Sequence, residues 1–457
     1  MNSMQDTKKL NIGIITVAHM RDPSSSVTGI VNECISLVED LGYGIVYNNR
    51  ILFDETSVGE YINELKRNSV DAFIVVVTNW LEPPTLIQPL YEFASIPFIL
   101  WGFPESDDNL DKGLFLGSSS AAAVIKSALE QMDFKFQYIM GLPDNNHTSE
   151  RVKTALSNIH ASVKISRSKI GLVGYNSMGI YTATFDQLGI KKHLGIEIDC
   201  RADSFIVTEM MKIFSDDEIN EVRQRFCKGY VFGENTEKSF ELSIRMYLAL
   251  KQLVAEGRWG GLSVKCQHEF TTYLKCAACL PLSMLTDEGI VCSDEGDVHA
   301  AITMMIMRSM SDGDIFFGDI YPYNHKSFLM GHCGLVPHSC GEPGCDITLN
   351  EMDKRISKDG KNTGGIVTTL KYKSGDVTLA RIEGRREQGY IMHIVEGAAV
   401  PARSVGHNFS NVEIKLANGY DYWDFIEKQL SNHYVLIYDR IAKELRDFCK
   451  YKDIRIL

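Results

Sequence analysis

The chain of 457 residues has no block of lysine and arginine, and its 47 basic residues are outnumbered by 59 acidic ones, for a formal net charge of −12. Phosphate contacts dominate nucleic-acid affinity, so this balance argues against a nucleic-acid partner. No apolar run approaches the roughly 18–20 residues that a membrane span needs, which argues against a membrane protein. The opening stretch MNSMQDTKKLNIGIITV places its apolar residues after a charged pair, in a run too short and strand-like for a secretory leader. The eleven cysteines are odd in number and thinly spread, which excludes a disulfide framework and points to a reducing, cytoplasmic setting. There is no internal repeat, low-complexity segment or P-loop. Gly171-Leu-Val-Gly174 is not a dinucleotide fingerprint, and His268-Glu269 lacks the second histidine of a zincin motif. What remains is an ordinary globular composition, 44% hydrophobic and 23% charged, with a length that suggests two to four domains at about 100–200 residues each.

The first third alternates β-branched runs with amphipathic segments. Leu10–Val17, Gly44–Tyr47, Asp71–Val77 and Pro97–Trp101 read as strands, with helices N-capped at Ser26 and over Val58–Lys66. DAFIVVV is apolar nearly throughout, as a strand covered on both faces must be. After the polar stretch Gly141–Arg151 a second α/β series begins at Lys169–Val173. It continues through a helix near Met178–Leu188, a strand at Gly195–Asp199, a long helix over Glu237–Glu256, and strands at Gly261–Lys265 and Gly289–Ser293. Beyond Phe316, strands separated by turns take over: Gly365–Tyr372, a turn at 373–376, Val377–Glu383 and Gly389–Glu396. A helix over Ile441–Tyr451 closes the chain. The expected fold is α/β, with two parallel-sheet Rossmann- or flavodoxin-like domains (1–165 and 166–318) followed by a C-terminal antiparallel β-barrel domain (319–457).

Parallel sheets bind ligands at the carboxyl ends of their strands, and three groups stand near such ends. In VCSDEGDV a strand runs into Asp294, Glu295 and Asp297, acids that repel one another unless a cation or donors compensate. The plainer reading is a solvated helix start favoured by the helix dipole. In IFFGDIYPY, Asp319 is a single acid in an aromatic run, so it has either a partner or a structural turn to hold. His433 lies at the mouth of the strand HYVLIY. Two carboxylates and an imidazole suit Mg²⁺ or Mn²⁺. Cys276-Ala-Ala-Cys279 has apolar flanks and no second pair, so it reads as core. His332, Cys333, His338, Cys340 and Cys345 are crowded, but their spacing fits no structural zinc pattern.

At these residues the chain resembles the L-fucose and L-arabinose isomerase superfamily, on its fucose-isomerase-like side, over essentially its whole length. The specific segments are YNSMGIYTATFDQ, which carries Ser177 and Met178; CLPLSMLTDEGIVCSDEGDV; FFGDIYPY; and the closing SNHYVLIYDRIAKELRDFCKYKDIRIL. The resemblance implies three domains and a metal-dependent aldose–ketose isomerase using Mn²⁺ or a similar divalent ion such as Mg²⁺ or Co²⁺. By position, Glu295, Asp319 and His433 are then the metal ligands. His332 falls where the arabinose-isomerase branch has another metal-site histidine, and Ser177 and Met178 fall in a substrate-facing segment. The family habit is a homo-oligomer, trimer or hexamer, with active sites shared between subunits.

Such a reaction moves a proton between C1 and C2 through an enediol. Glu295 and Asp319 are the catalytic candidates, one of them the base. For the sugar itself, Trp80 after the third strand is placed to stack on a ring face, Lys265 and Gln267 follow a strand, and Arg21 lies in the loop after the first. Lys265, Arg21 and Arg403 suit an anionic group, so the substrate class stays open between fucose- or arabinose-like aldoses and C6-anionic aldoses such as sulfo-sugars. A non-catalytic sugar-binding protein of the same fold and a sugar epimerase are the alternatives.

Overall fold

The computed structural model describes residues 10–19, 24–105, 117–226, 229–234, 236–352, 364–385, 389–402 and 410–457. Its described residues divide into two compact units, one up to Val163 and one from Lys164 to Leu457. Arg21 and Arg403 lie outside the described residues.

In the first unit the strands are β1 (Asn11–Val17), β2 (Gly44–Val46), β3 (Ile51–Leu52), β4 (Ala72–Val77), β5 (Phe98–Gly102) and β6 (Phe136–Met140). They form one parallel sheet of order β2-β1-β4-β5-β6, and β3 continues the β2 edge along β1. Every residue of β4 and β5 is buried, which is why their sequences carry no polar alternation. Helices Glu55–Arg67, Pro84–Tyr91 and Ser118–Gln131 supply Val58, Ile62, Leu65, Leu86, Leu90, Ile125 and Leu129 to the core on the sheet. The first helix runs Ser24–Asp40, so Ser26 lies inside it and is not its cap.

In the second unit β7 (Lys169–Val173), β8 (Glu197–Asp199), β9 (Tyr230–Phe232), β10 (Gly261–Val264) and β11 (Val291–Asp294) follow. β7, β8, β10 and β11 form a parallel sheet of order β11-β10-β7-β8. The chain winds outward from β7 to β8 and returns on the other side with β10, so the switch point lies between β7 and β10. The expected helix near Met178–Leu188 is absent. Met178 (φ 52°) and Gly179 (φ 69°) are both left-handed, which stops a helix. A short turn at Tyr181–Ala183 follows, and the helix is Gln187–Leu194, capped by Asp186. Tyr181 and Leu188 are exposed.

The remaining strands are β12 (Ile315–Tyr323), β13 (Ser327–Gly331), β14 (Ile347–Glu351), β15 (Ile366–Thr369), β16 (Gly375–Arg385), β17 (Gly389–Pro401), β18 (Val412–Leu416), β19 (His433–Ile437) and β20 (Arg455–Ile456). Six of them close into an antiparallel barrel in the order β16-β19-β12-β13-β18-β17, and the β16–β17 ladder seals it. β16 already starts at Gly375, inside the expected turn, because Gly375 pairs with Ala399 across the ladder. Phe316, Phe328, Leu379, Val395, Ile414, Tyr434 and Leu436 fill the barrel interior. Outside it, β15-β14-β9 make a small sheet.

Gly171 shows how tightly the parallel sheet is packed. The buried Trp259 indole lies against it, leaving no room for a Cβ, and donates from Nε1 to Asp199 at 3.1 Å. Gly171→Ala should therefore lower stability by about 1–3 kcal/mol through overpacking, read as a shift in denaturant midpoint. An unchanged midpoint would show that the indole has room to move.

Candidate active site

The barrel register brings three expected site residues together. β12 runs between β19 and β13, with Asp319 opposite His433 on one side and Gly331 on the other. His332 is the residue after Gly331. Two strand pairings thus gather a carboxylate and two imidazoles, with His433 coming from the far end of the second unit. The Phe317 ring packs against both imidazoles, with centroids 5.0 Å from His332 and 4.6 Å from His433, which limits their rotation.

Glu295 reaches the same place from the end of β11. It is left-handed (φ 59°), as is Gly296 (φ 71°), and the pair makes a sharp turn before helix Val298–Arg308. Gly296 has no room for a Cβ against the Tyr175 carbonyl. The turn is held by the Ser177 N–H donating to the Glu295 carbonyl (2.8 Å) and the Gly296 N–H donating to the Val264 carbonyl (3.0 Å). A non-glycine residue persists in this backbone region only where its surroundings fix it.

Asp297 does more than the sequence reading gave it. Its Oδ1 caps helix Val298–Arg308 by accepting the Ala300 N–H at 2.9 Å. Its Oδ2 faces His433 Nδ1 at 2.9 Å and accepts from the Arg381 guanidinium at 2.7 Å. All three side chains are buried. Arg381 also donates to the Thr182 carbonyl at 3.0 Å. Burial works against an ionised Asp297, but the Arg381 charge and the His433 bond hold its carboxyl well below the usual range. With a carboxylate at Nδ1, the His433 proton sits on that nitrogen and the Nε2 lone pair faces the cluster. This is the carboxylate–histidine arrangement that orients metal-ligating imidazoles.

Glu295 Oε2 lies 3.2 Å from His433 Nε2, and Glu295 Oε1 lies 3.9 Å from His332 Nε2. Glu295, His332 and His433 bring three buried ligand atoms within 4.8 Å of one another. The Nε2 atoms of His332 and His433 are buried without a hydrogen-bond partner. A carboxylate and two imidazole lone pairs so close are stable only with a proton or a cation among them. With a proton there, burial opposes the charge, but the bond to Asp297 and the neighbouring Glu295 carboxylate push the His433 imidazole up to about 10. The donor set, a carboxylate and two imidazoles, is one that could hold a divalent cation.

Asp319 stands at the rim. Its side chain is 22% exposed and 3.6 Å from His433 Nε2. It accepts from Asn432 Nδ2 at 2.7 Å and from the Tyr321 hydroxyl at 3.0 Å. Ser177 and Gln267 are buried and bonded to each other through the Ser177 hydroxyl, so they brace the turn under Glu295. Met178 is exposed. Lys265 lines a cleft of about 190 Å³ at the switch point with Gly174 and Tyr175, and it is paired with Glu269 at 2.6 Å. Trp80, in the first unit, is exposed after β4. The reading missed Arg381. The signal was its parity: it lies on the same face of β16 as buried Val377 and Leu379, where a solvated arginine has no place.

No family model matches the chain. It is similar to sulfoquinovose isomerases. That of Priestia megaterium is 23% identical over 399 residues, covering 85% of this chain and 86% of that protein. That of Alkalicoccus urumqiensis is 24% identical over 370 residues, covering 79% and 80%. That of Clostridium sp. (strain MSTE9) is 25% identical over 250 residues, covering 53% and 55%. The likeness over most of the chain makes this protein an enzyme of the isomerase class. Among the described residues, no helix is long and apolar enough to cross a membrane.

Asp297→Ala leaves a buried guanidinium without its carboxylate. It should cost about 3–5 kcal/mol of stability, measured by denaturant unfolding. Acid should reproduce part of this loss. A carboxyl held low in the folded state contributes stability above its unfolded pKa of about 4 and loses it as pH falls further. Wild type should therefore weaken below that pH more steeply than Asp297→Ala, and parallel curves would contradict the assignment.

Proposed function

We propose that the protein is an aldose–ketose isomerase of the L-fucose and L-arabinose isomerase kind, acting on a sulfo-sugar with the help of a divalent cation. The observation that carries this reading is the buried group of Glu295, His332 and His433, whose two imidazole Nε2 atoms face a carboxylate with no hydrogen-bond partner of their own. The similarity to sulfoquinovose isomerases supports the sugar class and the anionic group.

Glu295, His332 and His433 would hold the cation, with Asp319 beside them at 3.6 Å from His433. When bound, a divalent ion supplies positive charge that stabilises the oxyanion developing beside the acidic C–H. The protein's own groups do the rest. One of Glu295 and Asp319 takes the proton from C2, which is then returned to C1, while the hydroxyl proton of O2 passes to O1. Asn432 and Tyr321 hold the Asp319 carboxylate in place by donating to its two oxygens. Phe317 excludes water behind the imidazoles.

Chelator-treated protein should lose isomerisation of a C6-sulfonated aldose and regain it with Mn²⁺. In D₂O the product should carry deuterium beside its carbonyl. Glu295→Gln and Asp319→Asn should each lower kcat by about 10²-fold or more, and Glu295→Gln should also lose bound metal. Near-wild-type turnover and metal content in both variants would refute the site. Sugar binding without turnover in the metal-loaded protein would instead make it a non-catalytic binder.

A further inference from the structure

A second cluster of ligating side chains lies behind the first. Cys279, Asp294 and Cys333 bring two sulfurs and a carboxylate oxygen within 4.8 Å of one another. Cys279 Sγ is 3.8 Å from Asp294 Oδ2. Two ligands of one tetrahedral zinc-class ion, with bonds of about 2.0–2.3 Å, stand roughly 3.5–3.8 Å apart. Asp294 is fully buried. Unlike Asp297, it has no lysine or arginine bonded to it among the described residues. What reaches it are the Glu295 N–H at 2.8 Å and the thiols of Cys279 and Cys266. The His332 imidazole is the basic side chain that acts on this buried carboxylate; with no lysine or arginine bonded to it, a cation among the thiols would stabilise its ionised form.

The two clusters share their segments. Asp294 and Glu295 are consecutive at the end of β11, and His332 and Cys333 are consecutive after β13. In each pair one member joins one cluster and its neighbour the other, Glu295 and His332 the first, Asp294 and Cys333 the second. Glu295 and His332 bear hard or borderline donors, while Asp294 and Cys333 add to the Cys279 thiol a set that suits a softer ion. Cys279 enters from the start of helix Cys279–Asp287. The cysteine pair at 276 and 279 and the crowded segment at 332–345 each fail as zinc motifs alone, because the site takes one cysteine from each.

We propose that Cys279, Asp294 and Cys333 form a second cation site, distinct from the Glu295 cluster, for a thiophilic divalent ion of the zinc class. On binding, the S–H bonds of Cys279 and Cys333 break, their sulfurs bond the ion, and both protons leave to the buffer. The ion also acts on the first cluster. Cys333 Sγ is 3.4 Å from His332 Nδ1. A metal-bound thiolate accepts a hydrogen bond there, which places the His332 proton on Nδ1 and leaves Nε2 as a lone pair toward Glu295.

The test uses cadmium as a probe on full-length, reduced, chelator-treated protein. Titration should raise an ultraviolet thiolate-to-cadmium charge-transfer band that saturates, with the per-ion intensity of at least two thiolates, and zinc should compete it away. Cys279→Ser and Cys333→Ser should each reduce the band and lower the metal retained in dialysis by one equivalent. Cys292→Ser, a buried cysteine outside the cluster, and Glu295→Gln should both leave the band intact. Absence of a thiolate band in the wild-type protein, or its persistence unchanged in both cluster variants, would overturn the proposal. The wild-type reading needs no variant to fold. It is also independent of turnover, so failure of the isomerase reading leaves it untouched.

Discussion

The structure of the site depends on one desolvated ion pair. Arg381 comes from barrel strand β16, and Asp297 from the turn that follows parallel strand β11. Their side chains have no exposed surface and meet at 2.7 Å. A buried pair of this kind brings little net stability, because desolvation offsets most of the attraction. What it does bring is position. Once Asp297 is fixed, its second oxygen caps a helix, and His433 has only one productive orientation. The pair ties the two sheet systems of the second unit together at the point where the ligating groups converge.

From that anchor the chemistry follows in layers. Asp297 sets the His433 tautomer, the barrel register sets His433 against Asp319, and the left-handed turn at Glu295 and Gly296 carries a carboxylate into the gap between two imidazoles. Each device is costly alone. A strained turn, a buried arginine and buried imidazole nitrogens without partners are what a folding chain avoids unless the site they build is used. Their concentration in one corner of the molecule is itself the argument that this corner is functional, and the similarity to sugar-sulfonate isomerases gives the function a direction.

Much of this was legible in the residues. The strand β4 stood out because a strand buried on both faces must be continuously apolar, and the change to turn-separated strands after Phe316 marked the barrel. Glu295, Asp319 and His433 could be named as candidates because acids and a histidine stood near strand ends, and His332 through the resemblance to the arabinose-isomerase branch. The expected helix near Met178–Leu188 did not form, because Met178 and Gly179 are left-handed. Arg381 was passed over for a different reason. Nothing local says that an arginine in a strand has a carboxylate waiting 84 positions earlier in the sequence. The thiol cluster escaped because its cysteines come from separate motifs that fail one at a time. Distant pairing, not propensity, decided the last two.

The most direct test of the central claim is an anomalous-diffraction experiment at the manganese edge on crystals loaded with Mn²⁺. The account predicts one strong peak enclosed by the Glu295 carboxylate and the Nε2 atoms of His332 and His433, with Asp297 and Arg381 still bonded behind His433. A fully loaded crystal with no peak among these three side chains, or with manganese held elsewhere, would contradict it.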